Sequence, residues 1–304
     1  MWFRNLRLYH LPDTFALRPD ALEPLLAGHA ARPCGPFEPV VLGWVPLLGG
    51  EGAPLVHAAD GALLVCAERQ ERLLPGAVVR QAVAAQVGEI ERAEGRPVHR
   101  KERRDLQERV VQELLPRAFV RASRSFVLID PRLALLIVDS ASPKRAEEVV
   151  GLLRDSVGSL RARPLTTTRA PASVMRRWLA GRPPKQFALG DQCVLAEPVE
   201  GGGVVRVRGL DLDAAQTHLE AGLVPQQVAV EWNERLGVVI GDDLALRRLR
   251  FLDLVREEAA AVEDGGDAAV RFDADFAIMV AELRTFVPKL LGLFGGVGAE
   301  EVDA

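Results

Sequence analysis

Between residues 76 and 116 apolar positions recur every three to four residues. Val79, Val83, Val87 and Ile90 come first; Gly95-Arg96-Pro97 interrupts; Leu106, Val110 and Leu114 follow. That period marks a helix with one buried face. The spacing therefore predicts two helices and a short break, an αα-hairpin able to project from a body, with Pro116 ending it. Phe126–Ile129 and Leu133–Val138 are instead unbroken apolar runs around Asp130-Pro131-Arg132, which predicts a strand, a turn and a second, fully buried strand. Ser142 is a candidate N-cap with Pro143 at the first helical position. Ala146, Val149, Val150, Leu153 and Val157 line one face behind it, and Gly158 stands where a helix-ending glycine belongs.

Elsewhere the pattern is mixed. Phe3–Tyr9 and Ala62–Ala67 read as strands, and Pro and Gly between them break any long helix. Residues 161–190, rich in Pro, Arg and Thr, predict loops with one short helix around Met175–Leu179. Val204–Arg208 alternates, which sets Arg206 and Arg208 on one strand face. Val228–Trp232, Leu236–Ile240 and Leu244–Leu249, with turns at Asn233-Glu234 and Gly241-Asp242-Asp243, predict an antiparallel meander. Arg271–Phe294 closes as a helix kinked at Pro288, and Gly295–Ala304 reads as frayed.

Composition narrows the class. With 304 residues, 48% hydrophobic and 26% charged, the chain is globular and long enough for about two domains. Cys34, Cys66 and Cys193 have no metal-ligand spacing. Met1–Asn5 does not begin an apolar leader, and the longest aliphatic run, Leu133–Val138, is far short of the ~20 residues of a membrane helix. A cytoplasmic protein with no membrane partner is expected.

Chemistry-bearing constellations are sparse. His10, His29, His57, His99 and His218 are scattered. Gly201-Gly202-Gly203 lacks the Lys-Ser/Thr of a phosphate loop, and no Gly-x-Ser-x-Gly occurs. Asp273 and Asp275 could hold Mg²⁺, but two helical positions apart they face different ways, and acids complementing a helix N-terminus are the simpler reading. No catalytic residue, cofactor or metal site is expected, which favours a binding protein.

Charge then changes the picture. The net −4 hides three segments: residues 1–99 carry −2, residues 100–185 carry +10, and residues 186–304 carry −12. Half of the basic residues sit in the middle segment. Arg100, Lys101, Arg103 and Arg104 are its densest cluster; Arg100, Arg103 and Arg104 share a helical face near a helix start, where cations oppose the macrodipole. Arg117, Arg121 and Arg124 follow, then further basic residues to Lys185. The plain alternative is a solvated face paired with Glu102, Asp105 and Glu108. A clustered excess of this size points to a polyanion. With 5% aromatic residues there is little to stack single-stranded bases, so backbone-dominated, sequence-independent binding of duplex is expected.

Six segments in order resemble one family. They are Trp2-Phe3-Arg4-Asn5-Leu6, Pro33-Cys34-Gly35, Gly43-Trp44-Val45-Pro46, Leu114-Leu115-Pro116-Arg117-Ala118-Phe119, Leu152-Leu153-Arg154 with Gly158-Ser159-Leu160, and Arg271-Phe272-Asp273-Ala274-Asp275-Phe276. They look like the recombination-associated RdgC proteins of proteobacteria. The resemblance implies an α+β, non-enzymatic, nucleoid-associated homodimer that closes as a ring around double-stranded DNA and hinders filament formation by the RecA recombinase. It implies a central α/β body (1–74 and 117–160), a helical tip (75–116) and a mostly antiparallel base with a closing helix (161–304). By matched position it assigns Arg117 to the inner wall of the ring and Phe119 to a dimer contact, with ordinary core the alternative for Phe119. Arg206 and Arg208 match a basic strand. Gly209, Leu210, Gln226 and Gln227 stand where the family is more basic, which leaves the DNA contacts of the base in doubt. Two other classes stay open: a metal-dependent DNA-processing enzyme using Asp273 and Asp275, and a scaffold that binds an acidic protein.

Overall fold

The computed structural model describes residues 1–11, 17–50, 52–209, 212–261 and 268–298. Its elements are β1 (Arg7–His10), α1 (Pro19–Ala27), β2 (Val40–Val45), β3 (Val56–Ala59), β4 (Ala62–Leu73), α2 (Gly76–Glu94), α3 (Arg100–Leu114), a 3₁₀ turn (Leu115–Arg117), β5 (Phe119–Asp130), β6 (Leu135–Val138), α4 (Pro143–Val157), β7 (Arg163–Pro164), α5 (Pro171–Leu179), β8 (Phe187–Ala196), β9 (Val204–Arg208), α6 (Leu212–Glu220), β10 (Val224–Trp232), β11 (Leu236–Gly241), β12 (Leu246–Phe251), α7 (Asp253–Ala261) and α8 (Ala268–Leu293).

The strands form two open sheets. The first runs β2-β4-β5-β6-β1-β7, with β3 also paired to β4; the second runs β12-β11-β10-β8-β9. Every strand pair described is antiparallel. Helices and antiparallel sheets together make the protein α+β.

Side-chain alternation divides the core. Leu63, Val65, Val127 and Ile129 face one side of the first sheet and pack with Leu22 and Leu26 of α1 and Val149, Val150 and Leu153 of α4. Their neighbours Leu64, Cys66 and Leu128 face the other side, where they share one cluster with α8 and with Val228, Val230, Trp232, Val238 and Ile240 of the second sheet. α8 therefore lies between the two sheets, and Phe286 on it packs against the Trp232 ring at 5.4 Å between centroids. The N-terminal segment links both sheets: Leu6 exchanges backbone hydrogen bonds with Leu246 of β12, and Arg7 begins β1 in the first sheet. Arg284 on α8 adds a polar tie, donating to both carboxylate oxygens of the buried Asp130 at 2.7 and 3.1 Å.

α2 and α3 pack together through a small cluster of their own, Val79, Val83 and Val110, with Leu74 against it. Both helices lie where the apolar period placed them, and Gly95 ends α2 at φ +65°. α4 begins with the Ser142 side chain accepting from the Arg145 N–H and ends at Gly158, φ +77°, as its punctuation predicts.

Several expectations need correction. The strand read over Phe3–Tyr9 starts at Arg7, because residues 4–6 pair with β12 instead. β5 begins at Phe119 rather than Phe126: Arg121, Ser123, Arg124 and Ser125 show no apolar alternation, since both faces of that ribbon meet solvent. The short helix read around Met175–Leu179 is present as α5 and starts earlier, at Pro171, while β8 starts at Phe187 inside the stretch read as loop. α1, β2, β3, α6 and α7 lie where no element was read. α8 begins at Ala268, so Asp273 and Asp275 are not at its N-terminus. Gly298 and Thr168 are tied by backbone hydrogen bonds to Thr166 and Gly296, so the chain end is ordered to residue 298; residues 299–304 lie outside those described.

Candidate nucleic-acid interface

α3 presents its basic cluster at its start. Arg100, Lys101, Arg103 and Arg104 line its first turns with little burial, while Leu106 and Val110 turn to the packed side. Of the neighbouring acids, Glu102 is engaged by another arginine and Glu108 meets only Arg104. Glu102 is bonded by Arg96 at 2.8 and 3.0 Å, and those contacts hold the Glu102 carboxyl below the usual carboxylate range. Glu108 pairs with Arg104, whose side chain is still 81% exposed. Among the described residues no ion pair reaches Arg100, Lys101 or Arg103. Cations left without internal counterions at a surface are what a polyanion attracts.

Arg117, in the 3₁₀ turn, is exposed and likewise without an ion pair among the described residues. Phe119 opens β5 and is 85% exposed, which sets aside the core alternative for it. Leu73, directly opposite on β4, and Val120 beside it are also exposed. A bare phenylalanine at the end of a ribbon with apolar neighbours is an unburied apolar surface.

Arg72 holds this junction. Its guanidinium donates to the carbonyls of Leu115 (3.2 Å), Pro116 (3.4 Å) and Ala118 (3.1 Å), and to Gly35 (3.0 Å) and Cys34 (3.3 Å). Two of the resembling segments, Pro33-Cys34-Gly35 and Leu114–Phe119, are thereby clasped by one side chain. Reasoning from sequence missed Arg72, because nothing local distinguishes it.

Arg121 and Arg124 do not share a surface. They lie three residues apart on β5, so alternation sends them to opposite faces. Arg121 joins Glu71, with Arg69, Arg145 and Glu148 in the same network on the α4 side. Arg124 pairs with Glu68 at 3.2 Å on the other face. Both keep about half of their side-chain surface, 53% and 48%.

Arg206 and Arg208 are exposed on β9, the edge of the second sheet, and alternate with the half-buried Val205 and Val207. Gly209 follows at φ +75°; Leu210 lies outside the described residues. The opposite edge strand carries basic residues that the sequence reading passed over. On β12, a bulge opposite Val238 gives the strand one extra residue between Arg247 and Arg250, and Arg248 takes φ +52°. A non-glycine residue held there costs of order 1–3 kcal/mol and is a frequent companion of function. The bulge leaves Leu246, Leu249 and Phe251 inward and Arg248 and Arg250 exposed. A local signal existed, three arginines in the four residues 247–250, but the −12 of the surrounding segment averaged it away.

The acid pair of the nuclease alternative is divided. Asp273 Oδ1 lies 3.2 Å from His57 Nε2, while Asp275 binds the N-terminal ammonium. Among the described residues no three His, Cys, Asp or Glu side chains converge to hold a metal. Burial pushes the Cys66 thiol up to about 12. No described helix is long and apolar enough to cross a membrane.

These features define a class: an α+β protein of two antiparallel sheets with exposed basic residues on a helix start and on sheet edges, several of them without an ion pair among the described residues. The profile of the RdgC family, described as "Putative exonuclease, RdgC", matches residues 1–297. The recombination-associated protein RdgC of Halorhodospira halophila is 44% identical over 299 residues, covering 97% of this chain and 98% of the relative. Those of Pseudomonas fluorescens and Pseudomonas aeruginosa are 41% and 42% identical, covering 97% and 99% of this chain and 98% and 99% of theirs. The chain belongs to the RdgC family, whose named members are recombination-associated proteins.

Proposed function

We propose that this protein is a non-enzymatic, sequence-independent binder of double-stranded DNA. In this reading it is a homodimer that closes as a ring on the duplex, sits on the nucleoid in the cytoplasm and restrains RecA-type recombination by occupying DNA. The segment 75–116 is the tip, 1–74 with 117–160 the body, and 161–304 the base. The observation that carries the binding is a set of exposed cations that no ion pair reaches among the described residues: Arg100, Lys101 and Arg103 at the start of α3, and Arg117 beside the bare Phe119 past its other end. Phosphate contacts by Lys and Arg need no base-specific geometry, which suits a chain with few aromatic residues.

The test reverses charge on Arg100, Lys101, Arg103 and Arg104 together, each to Glu. Binding of mixed-sequence duplexes should weaken equally for all sequences, and the slope of log K against log salt should flatten by about 0.9 for each phosphate that is no longer neutralised. An unchanged slope removes this surface from the interface. The family's description supplies the second reading, an exonuclease. Incubating linear duplex with the protein and Mg²⁺ separates the two: an intact complex supports binding, and shortened strands overturn it.

A further inference from the structure

We propose that the base carries a second anion site, a cleft between the N-terminal segment, β12 and the start of α7 that takes phosphate groups of a nucleic-acid backbone. The cleft has a volume of about 580 Å³ and is lined by Trp2, Arg4, Arg248, Arg250 and Arg256, with Asp253 the single acid among its lining residues. Among the described residues no ion pair reaches Arg4, Arg250 or Arg256, so four guanidinium groups meet at the cleft against one carboxylate. Guanidinium forks match phosphate oxygens in pairs, which suits this composition to phosphodiesters better than a lysine cluster would.

The backbone builds the site. The β12 bulge brings Arg248 and Arg250 to one surface with Leu249 inward. The Arg248 N–H donates to Asn5 Oδ1 at 3.3 Å, and its Nη1 donates to Gln192 Oε1 at 3.1 Å, so both main chain and side chain are held. Gln192 stands on β8, three strands from β12, so the Arg248 side chain reaches across this face of the sheet. A second cleft of about 570 Å³ on the same face also has Arg248 and Arg250 in its wall. Arg250 lies flat over Gly237, where a Cβ would come within 3.3 Å of its Nη2. The two clefts adjoin at the same two arginines, a continuous track instead of an isolated pit. Asp191 and Glu231 line the second cleft and make its far end the less favourable part for an anion.

The site rests on the duplex-binding reading and adds a contact surface to it, on the edge of the base opposite β9. It offsets the neutral residues Gly209, Gln226 and Gln227 within the same sheet, supplying basic groups from β12 in place of those positions.

Trp2 supplies an independent reporter. Trp44, Trp178 and Trp232 are 1%, 3% and 1% exposed, whereas Trp2 is half-buried at the cleft and packs on Phe251 at 4.6 Å between centroids. Quenching of tryptophan emission by neutral acrylamide therefore reads Trp2. A 30-base-pair mixed-sequence duplex should shield Trp2 in the full-length protein. Arg250→Glu with Arg256→Glu should abolish the shielding and lower the salt slope by about 1.8. If that pair prevents folding, Arg256→Ala alone, on the exposed side of α7, should lower the slope by about 0.9. Shielding and slope unchanged in a folded variant overturn the site while the duplex-binding reading stands. Wild-type protein without any duplex affinity overturns both. Inorganic phosphate that shields Trp2 as well as duplex does assigns the cleft to a free anion and overturns the nucleic-acid assignment.

Discussion

At the scale of single residues, exposure separates roles that residue type leaves merged. Phe is ordinarily a core residue, and from sequence Phe119 had that alternative. Its 85% exposure changes what its removal should do. Phe119→Ala deletes little buried surface, so the fold should lose no more than about 0.5 kcal/mol. If Phe119 closes a dimer contact, the same substitution should shift the protein toward smaller species in size-exclusion chromatography and reduce retention on circular relative to linear duplex. Unaltered stability together with unaltered assembly removes Phe119 from the interface. The basic residues divide in the same way. Arg100, Lys101, Arg103 and Arg117 have no ion-pair partner among the described residues, whereas Arg121 and Arg124 answer Glu71 and Glu68 across the ribbon. Sequence shows all of them as Arg or Lys; only pairing geometry tells a free cation from a neutralised one.

At the scale of elements, the helices were legible where one face is apolar and the ends are punctuated. α2, α3 and α4 follow their period because each buries one stripe against one partner surface. The strands that escaped notice are those without such a stripe. β2 contains Gly43, a residue that reads as a breaker. Here the chain at Ala31 crosses so closely that a Cβ on Gly43 would lie 2.5 Å from the Ala31 Cα, and Trp44 makes backbone hydrogen bonds to His29 and Ala31. The first half of β5 carries no apolar stripe because it runs as an open edge beside β4 and β2 before β6 joins it at Val127, and Phe119–Ala122 are exposed. Its end is positioned by Arg72. Arg72→Ala removes a charged donor from five carbonyls and should cost about 2–3 kcal/mol. Amide exchange at Ala118 and Phe119 should accelerate tenfold or more, about 1.4 kcal/mol of weakened protection, with Leu128 unaffected. Arg72→Lys should not rescue, since one ammonium cannot reach acceptors spread along a fork. Equal exchange at Ala118 and Phe119 in wild type and variant would show that the junction is held by other contacts.

At the scale of the whole molecule, the parts read as body and base share a core. Residues 3–8 and 62–66 pack in one cluster with residues 174–294, through α8. Asp130 and Arg284 tie the same surfaces by a bidentate pair, with Asp130 fully buried. Arg284→Ala leaves that carboxylate without its main partner and should destabilise by about 3–5 kcal/mol. Because the core is shared, urea should unfold wild type and variant in one transition monitored by tryptophan emission, with a lower midpoint in the variant. A second transition, or a cost below about 1 kcal/mol, would place the Asp130–Arg284 pair outside the interface that holds the parts together.

The amphipathic helices, the buried β6, the meander and the excess of positive charge in 100–185 are legible in the sequence, because each is encoded over consecutive residues. Six ordered segments were enough to point to the RdgC family. Tertiary structure alone decided which cations are free, where Phe119 stands, that Arg72 clasps two distant segments, and that Arg4, Arg248, Arg250 and Arg256 meet at one cleft. Those properties depend on residues far apart along the chain coming together, on register and on a single bulge. Charge summed along a chain cannot report charge summed over a surface: folding brings Arg4 and Arg250 to one cleft, and it sends Arg121 and Arg124, three residues apart, to opposite faces.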